Sequence, residues 1–336
     1  MTTTEQSSET HTSKTLVAAL NEALDEAMAA DPGVFVLGED IADPQGGGPV
    51  KITQGLSTKY PGRVRSTPIA EQAIVGACIG AAIAGMRPVA EIMLMDFITV
   101  AMDQIVNHAA KLRFMSGGQT NVPLTVRTMT GGGIGMGAQH ADMLEAWLAH
   151  TPGLKVVVPS TPADAKGLLL SCIFDDDPCV FVETIALYFG RPGLVPNVSE
   201  RIPLGKARIA REGTDVTLIG YGKPIVDGQV VAEKLADDGI SVEVIDLRTV
   251  SPWDQAAVFE SVAKTRRAVV THEAVGAFGV GAEISARIHE ELFTQLAAPV
   301  QRAASRFTPV PFAPPLEAAY LPGVGGIEAA IRRALA

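Results

Sequence analysis

Apolar residues recur every three or four positions from Lys14 to Ala30, and Leu16, Leu20, Leu24 and Met28 fall on one face, so the spacing predicts a helix. Val34–Leu37 is a short apolar run and reads as a buried strand. From Gln72 to Gly85 the chain is apolar nearly all round and rich in small residues, which predicts a fully buried helix. Pro88–Met93 reads as a strand, and Asp96–Arg113 as a helix with Ile98, Met102, Ile105 and Val106 facing the core. Strands at Val122–Arg127, Lys155–Val158 and Cys179–Val182, with a helix at Pro162–Phe174, complete the alternation expected of a parallel α/β sheet.

The proline-bearing stretch Pro192–Ile202 interrupts this pattern and is the expected linker, separating a first domain, 14–191, from a second, 203–336. In the second, strands are expected at Val216–Gly220, Val242–Asp246, Ala268–Thr271 and Val300–Ala304. Helices are expected near Pro224–Asp238, Asp254–Lys264, Gly279–Leu296 and Gly326–Leu335. Thr308–Pro315 holds four prolines and should lie extended.

Composition narrows the function classes. The 336 residues are 47% hydrophobic and 19% charged, so they can bury a sizeable core, and the formal charge of −10 argues against nucleic acid or an anionic membrane as a partner. The Ala73–Met86 run spans 14 residues, too short to cross a bilayer. Residues 1–13 are Thr/Ser-rich without Arg and are expected to form a disordered tail rather than a targeting signal. Cys78, Cys172 and Cys179 all lie in apolar runs without a CxxC pair, which suits buried thiols in a reducing, cytoplasmic setting.

Three places invite chemistry. Glu71 opens the most apolar helix, where burial disfavours a charged carboxylate and a helix N-terminus favours it; such a group can share a proton with a ligand, although it could equally be a simple N-terminal helix charge. His140 ends the loop that begins with the glycine run Gly131–Gly137 and could move protons there, or merely pack. Asp175–Asp177 ends a helix as a solvated turn, or holds a monovalent cation with nearby carbonyls. Zinc spacings, H-E-x-x-H, G-x-S-x-G and phosphate-loop motifs do not occur, and neither does a Gly-Asp-Gly segment.

Seven short motifs appear in order: Thr67-Pro-Ile-Ala-Glu71, Gly85-Met-Arg-Pro88, Phe114-Met-Ser-Gly-Gly118, Ala138-Gln-His140, His150-Thr-Pro-Gly-Leu-Lys-Val156, Asp164-Ala-Lys-Gly167 and Thr249-Val-Ser-Pro-Trp-Asp254. Together they resemble the β subunit of the decarboxylating component of 2-oxo acid dehydrogenase complexes, from about Lys14 to the C-terminus. The resemblance implies an α/β protein of two domains, a pyrimidine-binding thiamine-diphosphate fold followed by a transketolase C-terminal-like parallel-sheet domain. It implies an α2β2 heterotetramer with thiamine diphosphate shared between subunits, the α subunit holding Mg²⁺ and the diphosphate, which accounts for the missing Gly-Asp-Gly.

The resemblance assigns Glu71 to the aminopyrimidine nitrogen, where it promotes loss of the thiazolium proton. It assigns Ile69, Met93 and Phe97 to the pyrimidine ring, and His140 to acyl transfer near the reacting centre. Some relatives hold potassium at positions matching Leu124, Cys172, Ile173, Asp175 and Asp177, although Asp177 stands where some have Asn, and Ala141 where Ser is frequent. The implied activity is oxidative decarboxylation of a small 2-oxo acid, pyruvate or branched-chain, or acetoin cleavage, with the acyl group passed to a lipoylated acyltransferase. Two rivals share the pattern: the C-terminal half of a split transketolase, and a non-catalytic subunit that docks an acyltransferase.

Overall fold

The computed structural model describes residues 10–198 and 200–336. They form two compact units: the chain up to Met129 with His150–Leu204, and Thr130–Ala149 with Gly205–Ala336. Most of the expected tail, residues 1–9, lies outside the described residues. Its end is not a tail: His11–Lys14 is a strand, β1, paired antiparallel with β8 (Gly193–Pro196) inside the expected linker. Ladder hydrogen bonds that neither segment's side chains advertise hold the pair.

In the first unit, helix α1 (Leu16–Ala30) starts where the Thr15 side chain accepts the Ala18 N–H, and it buries Leu16, Leu20, Leu24 and Met28. A parallel sheet follows, with strands β2 (Val34–Glu39), β3 (Val64–Thr67), β4 (Arg87–Leu94), β5 (Thr125–Thr130), β6 (Lys155–Val157) and β7 (Cys179–Thr184) in the order β6-β7-β5-β4-β2-β3. Helix α2 (Glu71–Ile83) connects β3 to β4, and α3 (Pro162–Ile173) connects β6 to β7 and packs on α1.

Two expectations for this unit change. Helix α2 is not fully buried: Ile74, Val75, Cys78, Ile79 and Ala82 pack inward, but Ala73, Ala77, Gly80, Ile83 and Ala84 face outward. Apolarity all round predicted burial on all sides, and one chain covers only one side. The helix expected over 96–113 is three pieces: a 3-10 turn (Met95–Ala101), a π-helical stretch (Gln104–Ala109) and an α-helical end (Ala110–Met115), with Ile98 and Ile105 buried. Side-chain spacing cannot distinguish these backbone hydrogen-bond patterns over so few residues.

The second unit is built on β9 (Arg208–Arg211), β10 (Val216–Gly220), β11 (Val242–Asp246), β13 (Ala268–Val275) and β14 (Gln301–Ser305), in the order β14-β13-β10-β11-β9; the short strand β12 (Thr249–Ser251) follows β11 in the chain and is not part of this sheet. The sheet is parallel except for the edge strand β9, which runs antiparallel to β11 and was not expected. Val216, Leu218, Val231, Leu235, Val244, Ile327 and Ile331 form its core, between the strands and helices α4 (Lys223–Asp237) and α8 (Gly323–Leu335). Helices α5 (Gln255–Thr265), capped by Asp254, α6 (Val280–Leu292) and α7 (Pro314–Tyr320) complete it. Within the expected extended stretch, α7 already begins at Pro314.

Segment 130–149, inside the expected first domain by sequence, packs with the second unit. Met136 and Ala141 join Val275, Val310, Tyr320 and Leu321 in an apolar cluster. No helix among the described residues is long and apolar enough to cross a membrane.

Candidate active site at the carboxyl edge of the first sheet

Strands β2, β3 and β4 run parallel and in register, Gly38 opposite both Ser66 and Glu91, so their carboxyl ends share one edge. Parallel α/β sheets present ligands with backbone and side chains at this edge. Glu39 ends β2. Thr67 ends β3 and leads through Pro68, Ile69 and Ala70 into Glu71, the first residue of α2. Helix α2 packs on β4 and on the Met95–Ala101 turn, which carry Met93 and Phe97.

Glu71 is 7% exposed, at the positive end of a helix whose Ala70 cap supplies no side-chain hydrogen bond. Its carboxylate receives no hydrogen bond from another described residue. Thr67 Oγ1 is likewise buried without a partner. Ile69, two residues before Glu71, is 82% exposed, a large cost for an isoleucine unless something covers it. Met93 is the extra residue of a β-bulge: Ile92 pairs with Thr128 and Leu94 with Met129, leaving Met93 unmatched. Bulges re-aim side chains beside sites, and Met93 and Phe97 are both half-buried. Orphaned buried oxygens, an uncovered aliphatic side chain and a half-buried aromatic at one edge suit a planar ring bearing hydrogen-bonding nitrogens, as in an aminopyrimidine.

Two features here were not read from the sequence. Glu39 is a second carboxylate at this edge; its burial, then the Glu71 charge, then Asp40, hold its carboxyl above the ordinary glutamate range. Behind the edge lies a buried cluster. Arg127 donates to Glu91 through Nη1 (2.6 Å) and to Glu183 through Nε and Nη2 (2.6 and 2.9 Å), and Tyr188 donates to Glu183. Arg127 is 2% and Glu183 0% exposed. Burial opposes the Arg127 charge, but Glu183 and Glu91 outweigh it and raise its pKa further; burial pushes the Glu91 carboxyl up against the pull of Arg127. Charges inside the apolar strands of Arg127, Glu91 and Glu183 were the visible signal, and only pairing in space gives them meaning. A small cavity beside the cluster is lined by Pro49, Val50, Ile52, Met93 and Tyr188 among others.

His140 belongs to the second unit. It is half-buried at the end of an irregular loop and donates its backbone N–H to the Gly137 carbonyl at 3.3 Å. Of the positions assigned to potassium, Leu124, Cys172 and Ile173 are buried. Arg87 Nη1 donates to the Ile173 and Asp175 carbonyls (3.4 and 2.9 Å), Lys155 Nζ reaches both Asp175 oxygens at 2.7 Å, and Arg113 binds Asp177 at 2.6 Å. The protein's own cations thus meet this acidic run, and no cluster of three metal-binding side chains occurs among the described residues.

The chain matches the family models "Transketolase, pyrimidine binding domain" over residues 12–189 and "Transketolase, C-terminal domain" over 205–327. It is 45% identical to the acetoin:2,6-dichlorophenolindophenol oxidoreductase subunit beta of Cupriavidus necator, covering 94% of this chain and 96% of that one. It is 47% identical to the mitochondrial pyruvate dehydrogenase E1 component subunit beta-1 of Arabidopsis thaliana, covering 94% and 88%. A mitochondrial 2-oxoisovalerate dehydrogenase subunit beta from Chaetomium thermophilum is 48% identical, covering 88% and 64%. Among solved structures, a split-gene transketolase, an inactive β4 tetramer, superposes with a TM-score of 0.78 at 22% identity over 95% of this chain and 97% of that one, a likeness of fold. With two transketolase-type domains and this identity across nearly its whole length, the chain belongs to the β subunits of the thiamine-diphosphate-dependent E1 components of 2-oxo acid dehydrogenase complexes.

Proposed function

We propose that Glu71 is the carboxylate that meets the aminopyrimidine of thiamine diphosphate, and that the chain works only when an α subunit supplies the sites for Mg²⁺ and the diphosphate. The carrying observation is a buried carboxylate at a sheet's carboxyl edge with no hydrogen-bond donor from the described residues. Bound there, the cofactor supplies a carbon nucleophile and an electron sink for decarboxylation. Glu71 holds or gives a proton at the ring nitrogen, and Ile69, Met93 and Phe97 seat the ring's faces. His140 moves a proton during acyl transfer to a lipoyl group.

The partner reading is supported by the uncovered face of α2, where Ala73, Ala77, Gly80, Ile83 and Ala84 leave an apolar surface that a second subunit in an α2β2 assembly would bury. The substrate class is a short 2-oxo acid or acetoin, as the relatives' names span pyruvate, 2-oxoisovalerate and acetoin. Ketol transfer shares the fold, but the relatives near 45% identity are dehydrogenase β subunits. For potassium at Leu124, Cys172, Ile173, Asp175 and Asp177 the support is the family resemblance alone.

The test is co-expression with an α subunit of this family, followed by a panel of pyruvate, branched-chain 2-oxo acids and acetoin with a dye acceptor. Turnover by the pair and none by the lone chain is the expected result. Tight thiamine diphosphate binding by the lone chain would overturn the shared site.

A further inference from the structure

We propose that Glu273 and Glu317 are positioning residues for His140, their carboxylates accepting the Gly132 and Gly135 backbone N–H groups and so fixing the loop that leads to the histidine. This rests on the reading of His140 as a participant in the reaction. Gly131, Gly133, Gly135 and Gly137 all have positive φ, at 107°, 101°, 75° and 75°. Alternation of left-handed residues turns successive N–H groups toward one side and makes an anion-binding concavity. Here the anions come from the protein. Gly132 N donates to Glu273 Oε1, at the end of β13, and Gly135 N donates to Glu317 in α7 at 3.0 and 3.3 Å.

Both carboxylates are buried, Glu317 3% and Glu273 5% exposed. The fit is close at the start of the loop: a Cβ at Gly132 would stand 3.3 Å from Glu317 Oε1, and one at Gly131 would stand 3.0 Å from Glu273 Oε1. Farther along the loop, Met136 and Ala141 pack with Val310 and Tyr320 in an apolar cluster. Gly131–Leu144 carries no helix or strand, so these two carboxylates do for the loop what a ladder does for a strand.

The tether on Gly132 responds to pH. Burial pushes the Glu273 carboxyl up to about 7, against the Gly132 N–H and Lys223, with Glu145 and Asp227 adding repulsion. Tyr221 and Tyr320 also sense its charge, and both are held above the ordinary tyrosine range by burial. His272, next in sequence, is pushed down to about 4 by burial and stays neutral across this range. Above neutrality an ionised carboxylate grips the N–H with a charge-assisted bond; below it the neutral acid holds more weakly.

Hydrogen exchange of the purified full chain, corrected for the intrinsic pH dependence of exchange, reads the tether directly on peptides covering 130–142. Loop opening that removes the Gly132 N–H and leaves Glu273 buried raises the carboxyl further, so protection of the wild-type loop should rise through about pH 7, whereas global unfolding, which solvates Glu273, is favoured by the same rise. Glu273→Ala and Glu317→Ala should each lower protection about tenfold, with Glu317→Gln retaining most of it through its amide oxygen. Protection unchanged by pH and by both alanine variants would overturn the tether, even if His140→Ala is slow. In the assembled enzyme, Glu317→Ala should slow acyl transfer to a lipoyl domain about tenfold at unchanged KM for the 2-oxo acid, with Glu317→Gln restoring the rate. A loosened loop with full-rate transfer, where His140→Ala is slow, would overturn the positioning role alone, whereas full-rate transfer by His140→Ala would overturn the reading of His140. The pH arm uses the wild-type chain, so a variant that fails to fold does not remove the test.

Discussion

The first unit holds two pairs of carboxylates, Glu91 with Glu183 inside the sheet and Glu71 with Glu39 at its carboxyl edge, and they are treated in opposite ways. Arg127 clamps both Glu91 and Glu183 inside the sheet, and Tyr188 adds a hydrogen bond to Glu183. Glu39, ending β2, and Glu71, opening α2, feel each other's charge, and neither makes an ion pair among the described residues. A paired buried charge specifies structure, whereas an unpaired one is costly unless a ligand completes it. The chain tolerates that cost at the edge where a cofactor ring would supply the missing partner.

Substitutions can break this contrast, and the largest effect should be on turnover. Glu71→Gln in the assembled enzyme should slow activation of the cofactor by about 10²–10⁴-fold while the melting temperature changes little. Near-normal deuterium exchange at the thiazolium carbon would remove Glu71 from the mechanism. Arg127→Met should do the reverse, losing about 3–5 kcal/mol of stability by leaving two carboxylates buried without a cation, as read by urea unfolding. A loss under about 1 kcal/mol would show that water reaches the cluster.

Smaller effects sharpen the comparison. The raised carboxyl of Glu39 means that its contribution to stability is full below the ordinary value of 4.5 and fades as pH rises through its folded value, so Glu39→Gln should flatten the fall in melting temperature above pH 4.5. The same sign applies to Glu273 in the second unit, with the loss completed above about pH 7, and Glu273→Gln should flatten it there. An unchanged pH slope in either variant would discard that group as a source. The smallest effect concerns potassium: with Lys155, Arg87 and Arg113 already on the Asp175–Asp177 run, exchanging potassium for sodium should move the melting temperature by no more than about 2 °C. A much larger shift specific to potassium would show that the carbonyls of Leu124, Cys172 and Ile173 hold the ion despite Arg87.

Much of this protein is legible in its order of residues. Periodicity marks α1 down to the four residues that face the core, and strand-helix alternation points to two parallel sheets, because both depend on neighbours a few positions away. Glu71 stands out because a charge opening an apolar helix is locally anomalous. The edge strand β9, the β1–β8 pair and the π-helical stretch are invisible there, since backbone hydrogen bonds between distant or irregular segments leave little trace in side-chain order.

What the sequence alone determined, then, is the family and the two-domain α/β plan, and it singled out Glu71 as the carboxylate to test, all carried by local pattern. Tertiary structure alone decided which charges are spent and which are left open. It brought Arg127 to Glu91 and Glu183 across 36 and 56 residues, and Glu273 to Gly132 across 141. Electrostatic pairing in a low-dielectric interior depends on distance in space, and no spacing along the chain encodes that distance.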